Sequence, residues 1–83
     1  MQATRYFREQ VLRKRPYIDP AWCEAVIANP LRREDQGDGR VRFWGAVTDP
    51  RDGRTRILRV VTLGDGITIH NAFFDRDFQG GPP

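Results

Sequence analysis

The chain has 83 residues, 39% of them hydrophobic and nine of them aromatic, enough for one modest core but not for a core plus a deep internal cavity. Fourteen basic residues against eleven acidic leave a net charge of +3, and thirteen of the fourteen are arginine, which grips phosphate bidentately and biases the chain toward anionic partners. The single cysteine, Cys23, excludes an internal disulfide and, without a ligand cluster, a zinc site. No apolar run reaches the ~20 residues of a membrane span, so a cytoplasmic protein with no membrane contact and no cofactor is expected.

The first element is helical. In "TRYFREQVLRKRP", Phe7 and Val11 fall four apart with Leu12 beside them, Thr4 is placed to cap the start and Pro16 ends the run. A short strand at residues 3–7 is the alternative for its beginning. The next stretch, "DPAWCEAVIANP", predicts a second helix with Asp19 as N-cap and Pro20 at the first helical position. Trp22, Cys23, Val26 and Ile27 share one face and are expected in the core.

After Pro30 the texture changes to strands separated by "GDGR", "RDGR" and "GDGI", each carrying an Asp-Gly pair, the strongest short-range hairpin signal. These turns join strands at about Arg32–Gln36, Arg40–Thr48, Thr55–Leu63 and Ile67–Phe74. The whole reads as a single α+β domain over residues 1–78, two N-terminal helices packed on one face of a four-stranded antiparallel meander. Residues 79–83, "QGGPP", read as a flexible tail.

Counting outward from the Asp65-Gly66 turn sets Thr62 opposite Ile69, Val60 opposite Asn71 and Leu58 opposite Phe73, and on the other face Val61 opposite His70 and Arg59 opposite Ala72. In the preceding hairpin, a two-residue turn or a six-residue loop from Asp49 to Arg54 both send Val41, Phe43 and Val47 to the covered face. Arg42, Trp44, Arg59 and His70 then share the open face, provided no β-bulge intervenes. Either Glu34 or Asp35 faces Arg42, according to the length of the "QGDGR" turn. Asn71 is expected to point toward the helices.

An open sheet face with arginines, an aromatic and the sole histidine suits single-stranded RNA: guanidinium takes phosphate oxygens and the ring stacks a base. Metal-free RNA cleavage needs a proton acceptor for the 2′-hydroxyl, a donor for the leaving oxygen and positive charge on the phosphate. His70, Arg59 and Arg42 are the catalytic candidates, with Tyr6, Asp35 or Glu34 as the second proton-transfer group. Trp44, Arg76 and Tyr6 are the candidates for RNA binding.

Two short helices followed by "GRVRFWG", "LRVVTLGDG" and "TIHNAFFDRDF" in order resemble short relatives of the RelE/BrnT-like bacterial toxin superfamily, over about residues 5 to 78, most specifically in "HNAFFDR". The resemblance implies a RelE-like fold, ribonuclease activity of toxin-antitoxin type and a cognate antitoxin covering the open face. Many of those relatives carry a histidine near the start of the first helix, where this chain has Tyr6. Non-catalytic binding of RNA or protein by the same fold, and a homodimer built on the open face, are the alternatives.

Overall fold

In the computed structural model, which describes residues 1–78, the backbone turns helical at residue 5 because Thr4 caps it. The Thr4 hydroxyl accepts the Phe7 N–H at 3.1 Å and its carbonyl accepts the Arg8 N–H. A π-helical segment, Phe7–Val11, runs into α1, Leu12–Lys14, and Phe7 and Val11 are buried as their spacing predicts. Ahead of this helix the alternative strand is reduced to one parallel bridge, Ala3 to Ile69. The second helix, α2, is Pro20–Ala28; the Asp19 carboxylate accepts the Ala21 N–H at 2.9 Å, and Pro20 occupies the position where a missing N–H costs nothing.

The strands are β1, Arg32–Asp35, β2, Arg40–Thr48, β3, Thr55–Leu63, and β4, Ile69–Phe74, paired antiparallel in sequence order. Each turn uses its glycine at positive φ, Gly39 at 80°, Gly53 at 71° and Gly66 at 70°, conformations a side chain would strain. The β2–β3 connection takes the six-residue form, closing Thr48 on Thr55, and the β1–β2 turn brings Glu34, not Asp35, opposite Arg42.

The first helix lies against β4 and α2 against β2 and β3, so both cover one face. Phe7, Val11, Cys23 and Val26 meet Val41, Phe43, Val47, Leu58, Val60, Ile69 and Ala72 in one continuous core. The close approach of α2 is set by Gly45, where a Cβ would sit 2.8 Å from Val26 Cγ2. Burial pushes the Cys23 thiol up to about 12, leaving it an inert packing residue. Among the described residues no helix is long and apolar enough to cross a membrane. The expected tail, residues 79–83, lies outside the described residues.

Candidate functional site

The site begins with a defect in the sheet. Thr62 pairs with Ile69 as counted, but Val61 pairs with Asn71, so His70 is the extra residue of a β-bulge. Beyond the bulge every partner moves by one. Val60 faces Ala72, Arg59 faces Phe73 and Leu58 faces Phe74, which corrects the expected pairing. Ala72 is therefore buried in the core, and Asn71 lies in the Val61 row on the open face, not toward the helices; its Oδ1 accepts the neighbouring Ala72 N–H at 2.9 Å. The signal was in the sequence: an unbroken register sends a polar Asn71 inward and a small apolar Ala72 outward, and one inserted residue repairs both.

Two backbone hydrogen bonds, which together make the parallel bridge, pin the N-terminal segment beside the bulge. Ala3 bridges Ile69, the Thr4 N–H donates to the Ile69 carbonyl at 2.9 Å, and the Ile69 N–H donates to the Gln2 carbonyl at 3.0 Å. This brings the Thr4 hydroxyl to 3.1 Å from His70 Nδ1 and the Tyr6 ring to 5.0 Å, at an interplanar angle of 30°. Thr4 Oγ1 can donate to Nδ1 or accept from it, so Nε2 is presented either with a proton or with a lone pair. Partial burial, with the Arg40 charge, holds the imidazole below its ordinary pKa and favours the neutral ring.

Arg42 occupies the same cross-strand row as the bulge, in the order Glu34, Arg42, Val61, Asn71. Two strand spacings, about 9.5 Å, separate its backbone from β4, and the group its charge acts on is Arg59 of the intervening strand. The Glu34 carboxylate opposite Arg42 turns to Arg32, 2.7 Å away. Arg40, two residues earlier on the same face of β2, was not among the sequence candidates although it shares the parity of Arg42. In the sequence Thr4 signals only a helix cap.

The next row departs from the expected stacking platform. Trp44 is only 6% exposed: its indole N–H donates to Asp75 Oδ2 at 2.9 Å and Phe78 stacks on its ring at 5.8 Å. Arg32 and Arg59 lie over the same indole at 5.8 and 5.3 Å. A base cannot use that face while Phe78 holds it. Arg59 is itself held between Trp44 and Phe73, with a buried Nε that has no hydrogen-bond partner. Desolvation, then the charge of Arg42, lowers its pKa, against the pull of Asp75 and Glu34. Arg59 thus packs one row away from His70, and Arg76 lies beyond the far end of β4. Strand counting cannot reveal the covering of Trp44, because Asp75 and Phe78 belong to the segment after the last strand.

The structure thus gathers His70, Tyr6, Thr4 and Arg40 at one rim of the open face, sets Arg42 in the adjoining cross-strand row where its charge acts on Arg59, and leaves Trp44 and Arg76 apart from the histidine. The donor set is nitrogen and hydroxyl, and among the described residues no group of His, Cys, Asp and Glu could hold a metal ion. Compared with family models, with curated proteins and with solved structures, the chain matches none.

Proposed function

We propose that the protein is a metal-independent endoribonuclease of the RelE-like toxin type, acting on single-stranded RNA at the rim built by the β4 bulge. The observation that carries the reading is the sole histidine, oriented by Thr4, shifted toward its neutral form, beside the Tyr6 ring and within the field of Arg40. Neutral imidazole is the form a general base requires. Nε2 takes the proton of a ribose 2′-hydroxyl, the 2′-oxygen attacks phosphorus, and the bond to the 5′-oxygen breaks. A 2′,3′-cyclic phosphate remains on one fragment. Tyr6 supplies the proton to the departing oxygen, and the proton held on Nε2 returns through water to the tyrosinate, so both groups are reset with no net proton taken up. Arg42 and Arg40 offset the charge that gathers on the non-bridging oxygens. An antitoxin covering this face would block all of these groups together.

The packing of Arg59 against Trp44 withdraws one of the expected catalytic charges, which favours a second reading in which the face binds RNA or a protein without cleaving it. Induced expression in a bacterial host separates the two. Wild-type protein should arrest growth and fragment total RNA, and His70→Ala and Arg42→Ala should abolish both effects. Harmless wild-type expression with intact RNA would sink the ribonuclease reading in favour of the binding one.

A further inference from the structure

Beyond the far end of β4 from His70 lies a second basic feature, a cleft of about 440 Å³ lined by four arginines, Arg15, Arg51, Arg56 and Arg76, with Tyr17 and Phe74. Two of these arginines are fixed in place. Arg51 donates through Nε to both oxygens of the buried Asp49 at 3.0 Å, and Arg56 bridges Asp49 and Asp52. Their planes are further held by aromatic rings, Arg51 over Tyr17 at 5.1 Å and Arg56 over Phe74 at 5.6 Å. Arg15 is steadied only by Phe73, at 5.8 Å. Among the described residues, neither Arg15 nor Arg76 forms a salt bridge. Four guanidinium charges less the two carboxylates leave two positive charges facing one cleft.

We infer that this cleft is a binding site for a phosphomonoester, the group that carries close to two negative charges at neutral pH and presents three acceptor oxygens. Arg15 and Arg76 provide the charge; Arg51 and Arg56, immobilised by Asp49 and Asp52, provide donors that lose little freedom on binding. The volume falls in the range of small-molecule sites, so a nucleotide or the phosphorylated end of an oligonucleotide would fit, and the two share the chemistry that is recognised. The inference goes beyond the cleavage reading and does not depend on it.

Calorimetric titration with inorganic phosphate, AMP, adenosine, and a short oligonucleotide with and without a 5′-phosphate tests it. AMP should bind in a salt-sensitive manner and adenosine should not, and the 5′-phosphate should add affinity to the oligonucleotide beyond what its unphosphorylated form has at the open face. Arg15→Ala and Arg76→Ala should each weaken binding about tenfold or more with unchanged melting, and Arg33→Ala, across the sheet on β1, should leave it unchanged. A phosphate-dependent gain larger for the oligonucleotide than for AMP over adenosine identifies an RNA end as the source, and an equal gain identifies a free nucleotide; both uphold the site. Binding indifferent to the phosphate, or unaffected by both substitutions, would overturn it.

Discussion

Two residues show how closely local chemistry is set by the packing around it. His70 has its folded pKa below the ordinary imidazole value, so as pH falls through about 6.5 the unfolded chain takes up a proton before the folded one does. Stability should therefore decline between about pH 7 and pH 5, and His70→Asn should remove part of that slope in thermal melts across the range. Gly45 is constrained differently. Because a methyl group there would meet Val26 at 2.8 Å, Gly45→Ala should destabilise the protein by about 1 to 3 kcal/mol, measurable by urea unfolding, although alanine is otherwise acceptable in a strand.

At the scale of elements, the β2–β3 loop and the segment after β4 carry more of the structure than their lengths suggest. Asp49 is buried at the start of the loop, and the Arg51 side chain, with its backbone N–H, holds the Asp49 carboxyl below the usual range. Arg56 does the same for Asp52 and Thr68 for Asp65. A carboxylate with a depressed folded pKa stabilises the fold fully above its unfolded value and loses that contribution as pH falls toward the folded one. The melting temperature should thus drop steeply below about pH 4, and Asp49→Asn should lower it at neutral pH while flattening the acid dependence. After β4, Phe78 covers the Trp44 indole. In a Trp22→Phe background, Phe78→Ala should shift Trp44 emission to longer wavelength and make it accessible to acrylamide; an unchanged spectrum would mean that the cap is not what buries the ring.

For the whole molecule, alternation and turn chemistry made most of the architecture readable. Three Asp-Gly pairs located the turns, and the parity of Val41, Phe43, Val47, Leu58 and Val60 identified the covered face, where all five are buried. The site was less legible because the bulge shows in the sequence only as Asn71 and Ala72 out of step with the alternation, and the rest depends on contacts that local pattern does not encode. A single inserted residue at His70 shifts the end of β4, the N-terminal residues cross to lie beside it, and the last turn folds back over Trp44. The last two are contacts between segments far apart in sequence: one brings Tyr6, with Thr4, to His70, and the other covers the Trp44 ring against which Arg59 packs.

The measurement that bears most directly on this account is cleavage of a single-stranded RNA by the purified protein in the presence of a metal chelator, wild type beside His70→Ala. The account predicts cleavage by the wild type that leaves 2′,3′-cyclic phosphate ends, falling on the order of 10²- to 10⁴-fold in the variant while the fold is retained. Intact RNA with the wild type, or equal cleavage by both proteins, would contradict it.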